Sequence, residues 1–157
     1  MLDAMLTRLR GVVEAIAPDP ADLARREAAA VQWACCGLLL EVARLDTAGA
    51  EGKRRAVAQA MRAQFDTPAD ELGPMIARLG LQENRLTSYF QPVALINKAW
   101  TSAQKAQFVE WLWRIAMVDG QIDMYEDQLV RKLADLLYVP HADFILAKQR
   151  VLRAGAQ

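Results

Sequence analysis

The amino-acid sequence predicts an all-α protein, folded as a single compact bundle of about seven helices with an internal pseudo-repeat. Alanine and leucine dominate the 157 residues, and apolar residues recur at spacings of three and four, the period of an amphipathic helix. No alternating apolar and polar run of strand length is present. No linker is long or polar enough to separate domains, so we expect residues 1–157 to form one domain.

Helix breakers and caps set the predicted boundaries in the first half of the chain. A first helix carries an apolar stripe and ends at Pro18, after which Asp19 caps a second helix whose first residue is Pro20. From Ala28 onward this second helix is apolar almost all round, which predicts a central position in the bundle. The predicted helices of this half cover residues 2–17, 20–45, 53–65 and about 68–79.

The second half repeats this pattern. Thr101 and Gln104 have the spacing of a capping box at the start of a helix. The body of that helix carries two apolar stripes, one through Trp111 and one through Trp113, so it is also predicted to be central. Gly120 stops it and Asp123 opens the next. The predicted helices of this half cover residues 88–100, 102–118 and 123–138, with a last helix after Pro140.

Charge and hydropathy exclude several classes of function. Nineteen basic residues balance nineteen acidic ones, which argues against a nucleic-acid partner and against a polybasic membrane anchor. The longest charge-free window, residues 28–40, is about half of the roughly 20 apolar residues that a membrane-spanning helix needs. The N-terminus lacks the features of an export signal. We therefore expect a cytoplasmic protein with no membrane insertion.

The two cysteines support the same location. Cys35 and Cys36 are neighbours on a helix and point in different directions, which is poor geometry for a bridge between them. We expect both to act as small buried apolar residues in a reducing compartment.

An acidic helix junction is the strongest candidate site. Asp119, Asp123 and Glu126 surround Gly120 between two apolar helices, and Asp46 lies at an earlier junction. A shift of 73 positions places Asp46 on Asp119. Carboxylate oxygens are ligands that hard cations prefer, so these four acids are the candidate metal ligands, with Ca²⁺, Mg²⁺ or Zn²⁺ as the candidate ion. No other cofactor is predicted. An EF-hand is excluded because its first and third ligand positions would be Ile115 and Met117, which cannot bind calcium.

A structural reading explains most of the same residues. Asp123 and Glu126 have the spacing of a capping box, and Gly120 suits the positive φ at the end of a helix. Asp119 is less well explained, because an acid at a helix C-terminus opposes the helix dipole. A salt bridge from Asp119 to Arg44, Lys53 or Arg54 would resolve this.

The second half resembles a known family. Residues 111–126 read WLWRIAMVDGQIDMYE, and residues 129–137 read LVRKLADLL. This run resembles the second signature of TerB-like proteins, the group that includes the tellurite-resistance protein TerB and the N-terminal domain of a membrane-anchored DnaJ-type co-chaperone. Residues 139–145, VPHADFI, resemble the end of a small bacterial TerB-like subgroup. The resemblance implies a fold of about seven helices, no enzymatic chemistry, and a metal or stress-response role.

The first half departs from the family pattern. That pattern has an acid seven positions after the aspartate, as in Asp119 and Glu126. After Asp46 the equivalent position holds Lys53, and Thr47 replaces the glycine. This departure weakens the case for two symmetric metal sites.

Two functional hypotheses remain open from the sequence. In the first, the chain is a helical module that binds a divalent cation, or a cationic partner, through its acidic junction. In the second, the acids are structural helix caps and the chain is a protein-interaction scaffold. Trp111 and Trp113 cannot face the same direction, so one of them is a candidate for a partner surface. No catalytic residues are predicted, because His141 has neither a zinc partner nor a nucleophile at a useful spacing.

Overall fold

A computed structural model of the chain describes residues 2–16, 19–44, 50–81 and 84–155. Within these ranges all regular secondary structure is helical, which confirms the predicted all-α class. The eight helices correspond to the eight predicted ranges, one more than the expected total of about seven. In chain order they are α1 (Leu2–Ile16), α2 (Pro20–Arg44), α3 (Ala50–Phe65), α4 (Ala69–Leu79), α5 (Phe90–Ala99), α6 (Ser102–Ala116), α7 (Met124–Leu136) and α8 (His141–Gly155).

The chain divides into two compact units. The first comprises Met1–Ala30 and the second Val31–Gln157, so the boundary falls within α2. In the first unit, five described apolar side chains of α1 are more than half exposed, namely Leu2, Met5, Leu6, Leu9 and Val12. The second unit contains the hydrophobic core. The single domain and the internal repeat stay predictions.

Helix α6 lies at the centre of the second unit and packs against α3, α7 and α8. Its two apolar stripes bury six residues, namely Phe108, Val109, Leu112, Trp113, Ile115 and Ala116. The second part of α2 is buried in the same way, from Val31 to Ala43. Both helices predicted to be central are therefore central, because an all-round apolar helix must be covered on every side.

A capping box sets the start of α6, as predicted. The Thr101 hydroxyl accepts a hydrogen bond from Gln104 N at 3.3 Å, and Gln104 Oε1 accepts one from Thr101 N at 2.9 Å. The capping box is complete, and it satisfies two backbone donors that the helix leaves unpaired. No helix in the described ranges is long and apolar enough to cross a membrane.

Candidate functional site

The acidic junction begins where α6 unwinds. Met117 N donates to Trp113 O at 3.0 Å, and Gly120 N donates to Met117 O at 2.9 Å. Gly120 has a φ of 89°, in the left-handed region that glycine adopts without strain, as the sequence predicts for a helix stop. The chain then continues without regular secondary structure to Asp123, which opens α7.

Asp119 lies beyond the last residue of α6 and is exposed to solvent. Its Oδ1 accepts a hydrogen bond from Gln121 N at 3.3 Å, which stabilises the turn. Among the described residues no ion pair joins Asp119 to Lys53 or Arg54, and the Arg44 side chain lies outside the described part of the chain. Because α6 ends three residues before Asp119, this carboxylate lies outside the last turn of α6, where a negative charge would oppose the helix dipole.

Asp123 is the N-cap of α7. Its backbone is extended, with φ −77° and ψ 168°, and its Oδ1 accepts a hydrogen bond from Glu126 N at 2.7 Å. This half of the predicted capping box is confirmed. The other half is wrong: the Glu126 side chain does not return to the backbone of Asp123, because it points into the protein and is fully buried.

Glu126 instead meets Lys53 from α3. The ammonium Nζ of Lys53 lies 3.1 Å from Glu126 Oε2, and both side chains are almost completely shielded from solvent. The first turns of α3 lie close to the turn after α6: a side chain added at Gly52 would place its Cβ 3.1 Å from Val118 Cγ1. The close approach of α3 to the turn after α6 therefore brings Lys53 and Glu126 together. In the 73-residue alignment, these are equivalent positions.

Burial dominates the electrostatics of Glu126. Loss of solvent raises the pKa of this carboxyl to about 7, although the hydrogen-bonding contact and the charge of Lys53 lower it and the nearby Asp123 raises it further. A folded-state pKa above the usual value means that the folded protein holds the Glu126 proton more tightly than the unfolded chain. The stability that this proton supplies is therefore lost as pH rises from about 4.5 to about 7.

The predicted metal ligands are only partly brought together. Asp119 and Asp123 are exposed on the loop, whereas Glu126 is buried beneath them against Lys53. Asp46 lies outside the described residues. Within the described ranges no three side chains of His, Cys, Asp or Glu are arranged to hold a metal ion. Metal ligation by Asp46, Asp119, Asp123 and Glu126 stays a proposal.

The pairing of buried acids with basic residues was not predicted from the sequence. In the described part of the chain the other buried acids are Glu41, which contacts Arg85 at 3.3 Å, and Glu110, which contacts Arg114 at 2.9 Å. One signal in the sequence could have identified the partner of Glu126. Lys53 occupies the position equivalent to Glu126 in the 73-residue alignment, and a basic residue opposite an acid predicts an ion pair when the two positions face each other. The partners of Glu41 and Glu110 had no comparable signal.

The other residues singled out in the sequence are the two cysteines, His141 and the two tryptophans of α6, and all make contacts within the fold. Cys35 and Cys36 are both buried in the core, as predicted, and burial raises the pKa of the Cys35 thiol. His141 is exposed, with its ring 5.9 Å from that of Phe144. Trp113 is buried, whereas Trp111 is partly exposed and lies beneath the Arg114 guanidinium, 4.4 Å from its carbon. The two tryptophans face different directions, as predicted.

The cap at Asp123 gives a first testable prediction. Replacing Asp123 with alanine removes the acceptor for Glu126 N, and we expect the free energy of unfolding to fall by about 1 kcal/mol. Asp123→Asn keeps an acceptor oxygen, so this control should lose only a few tenths of a kcal/mol. Urea unfolding followed by circular dichroism measures both. Equal losses for the two variants would show that Asp123 acts through its charge and not as a cap.

Comparison with known protein families identifies a match. The family model described as Tellurite resistance protein TerB matches residues 32–149, which contain both junctions and the Lys53–Glu126 pair. Neither a curated protein nor a solved structure matches the chain.

Proposed function

Because the chain belongs to the TerB family, we propose that it is a non-enzymatic helical interaction module, acting in the cytoplasm in a tellurite-resistance or stress-response setting. Its acidic junction then has a structural role. The junction holds two central parts of the bundle in register, and the protein acts by presenting its helical surfaces to a partner protein.

One observation supports this proposal over a cation-binding role. The carboxylate that reaches deepest into the junction, Glu126, already contacts a positive charge, the Lys53 ammonium at 3.1 Å. A divalent ion at Glu126 would meet repulsion from this ammonium in a region of low dielectric constant, where the repulsion is strong. Asp123 is also engaged, since its Oδ1 caps α7. Both residues thus have structural partners that account for their positions.

A divalent-cation site is the second candidate function. It would use Asp119, Asp123, Glu126 and Asp46, with Ca²⁺, Mg²⁺ or Zn²⁺ as the ion. The observation in its favour is the buried Glu126 carboxylate, whose two oxygens accept no hydrogen bond of good geometry in the described structure. Buried acceptors of this kind are unusual and are often completed by water or an ion.

Calorimetric titration separates the two candidates. We expect CaCl₂, MgCl₂ and ZnCl₂ to give no saturable heat with the wild-type protein. A saturable heat that disappears in Asp119→Ala but persists in Asp70→Ala, which removes an exposed acid on α4, would establish the cation site instead. The interaction role has its own readout, affinity capture from the cells that produce the protein. Capture that recovers no specific partner would contradict that role.

A further inference from the structure

A groove runs along α6 and α8 on the surface of the second unit. The two helices lie side by side in the same direction: Ser102 and Asp143, near their starts, line one cavity. At their ends, a Cβ added to Gly155 would lie 3.5 Å from Met117 Cε. The groove holds two cavities, of about 410 Å³ near the helix starts and about 300 Å³ near the helix ends, and Arg150 borders both. A groove between two helices accepts the ridge of side chains of a third helix.

Three residues of α8 form one edge of this groove. Asp143, Leu146 and Arg150 all line the larger cavity, and their spacing of three and four places them on one face of the helix. Leu146 is 47% exposed although it is apolar. The same cavity is also lined by small residues, namely Ala103, Ala106 and Ala147. The groove therefore presents an apolar side chain between an acid and a base, next to an unfilled recess.

The fold leaves both charges of this edge available. Asp143 is exposed and makes no ion pair or side-chain hydrogen bond with any described residue. Arg150 Nη1 lies 3.7 Å from Glu110 Oε2, but Arg114 contacts Glu110 more closely, at 2.9 Å. The Arg150 side chain is 64% exposed. Because a guanidinium carries several N–H donors, Arg150 keeps donors for a second carboxylate.

The charges of this edge are complementary to those of a second copy. When two copies of α8 lie antiparallel about a two-fold axis between residues 146 and 147, residue 143 of each copy faces residue 150 of the other. The interface then contains two Asp–Arg pairs, and Leu146 of each copy enters the cavity of the other. A two-fold interface requires this kind of self-matching, because each contact occurs twice with the copies exchanged. A purely acidic or purely basic segment would match one charge of the edge and oppose the other.

We propose that the chain forms a two-fold dimer through the α6–α8 groove, with Asp143 of each copy paired to Arg150 of the other. The two ion pairs set the antiparallel register, and burial of both Leu146 side chains adds the apolar contact. This dimer goes beyond the proposed function, because the occupant of the groove is a second copy of the chain and not another protein.

Sedimentation equilibrium over a range of protein concentrations tests the dimer. We expect the mass of the wild type to approach twice the chain mass of 17.5 kDa as the concentration rises to about 1 mM. Asp143→Arg and Arg150→Asp each place two like-charged pairs in the interface, so each should weaken dimerisation about tenfold or more. Asp135→Arg makes the same charge change at an exposed acid of α7 and should leave dimerisation unchanged. A wild-type mass that stays at that of one chain would overturn the proposal.

An equimolar mixture of Asp143→Arg and Arg150→Asp gives the sharpest result. In a mixed dimer, the introduced arginine of one copy faces the introduced aspartate of the other, and the native Arg150 of the first faces the native Asp143 of the second. We expect the mixture to dimerise about as tightly as the wild type, although each variant alone does not. A loss of folding would not be restored by mixing. Arg150→Asp also brings an acid near Glu110; if that variant does not fold, Asp143→Arg, which changes no described side-chain contact, decides alone.

Two other outcomes would overturn the proposal. In one, the mixture stays monomeric, or both single variants dimerise as tightly as the wild type. In the other, Leu6→Asp dissociates the dimer and the charge variants do not, which would assign the interface to the exposed apolar residues of α1. Neither outcome bears on the proposed function, which affinity capture tests separately.

Discussion

Replacing Lys53 with methionine is expected to lower the free energy of unfolding by about 3–5 kcal/mol at pH 8. The reason is the carboxylate that remains. Glu126 is fully buried and its ionised form would lose the ammonium that lies 3.1 Å away. An uncompensated buried charge is strongly destabilising even where the intact pair adds little net stability. Urea unfolding measures the loss. Arg54→Met changes an exposed neighbour on α3 and should change stability by no more than about 0.5 kcal/mol.

The loss in Lys53→Met should depend on pH in a defined direction. In the wild type the pKa of Glu126 is about 7, and the Lys53 charge lowers it. Without Lys53 the folded-state pKa rises further, so the variant keeps Glu126 protonated over a wider range. At pH 5 the carboxyl is neutral in both proteins, and the variant loses less stability than at pH 8. A loss that is the same at both pH values would contradict the assignment of the effect to Glu126.

Trp113→Ala is the second substitution with a large expected effect, a loss of about 3–5 kcal/mol. The Trp113 ring is fully buried at the centre of the second unit, 5.3 Å from the Phe144 ring and 4.8 Å from Lys148 Nζ. Removing it leaves a cavity among residues of α6 and α8 that can collapse only in part. Urea unfolding again gives the free energy.

Trp111→Ala is the matched control, because Trp111 lies two residues away on the same helix but is partly exposed. Its loss should be clearly smaller, since it removes the contact with Arg114 and only part of a buried surface. Trp113→Phe should lose less than Trp113→Ala, because the indole N–H of Trp113 makes no hydrogen bond in the described structure. Equal losses from Trp111→Ala and Trp113→Ala would contradict the orientation of α6.

The sequence was sufficient to predict those features that depend on local patterns. The capping box at Thr101, the helix stop at Gly120 and the cap at Asp123 each arise from groups within three residues of one another. The central positions of α2 and α6 were also predictable, because a helix that is apolar all round can be stable only when it is surrounded.

The candidate site was predicted less completely, because its decisive contact is not local. The spacing of Asp123 and Glu126 indicates a capping box, yet the Glu126 side chain turns towards Lys53, 73 positions earlier. Only the packing of α3 against α6 determines that choice, and a local pattern carries no information about it.

The Lys53–Glu126 pair offers a physical reason why Lys53 stands seven positions after Asp46, where the resemblance implies an acid. The resemblance implies an acid at this position, whereas this chain has the Lys53 ammonium, which contacts Glu126 of α7. Under our proposal, the positive charge at the junction is supplied by the chain itself. The junction is then independent of metal supply, and its effects on stability follow the ionisation of Glu126.

A double-mutant cycle between Lys53 and Glu126 tests the central claim most directly. Unfolding free energies are measured at pH 8 for the wild type, Lys53→Met, Glu126→Gln and the double variant. If the two side chains act as one internal ion pair, the double variant should be more stable than the sum of the single losses predicts, with a coupling energy of about 1–3 kcal/mol. Losses that add to within about 0.3 kcal/mol would show that Lys53 and Glu126 act independently, which would contradict the claim that Lys53 is the cation of the acidic junction.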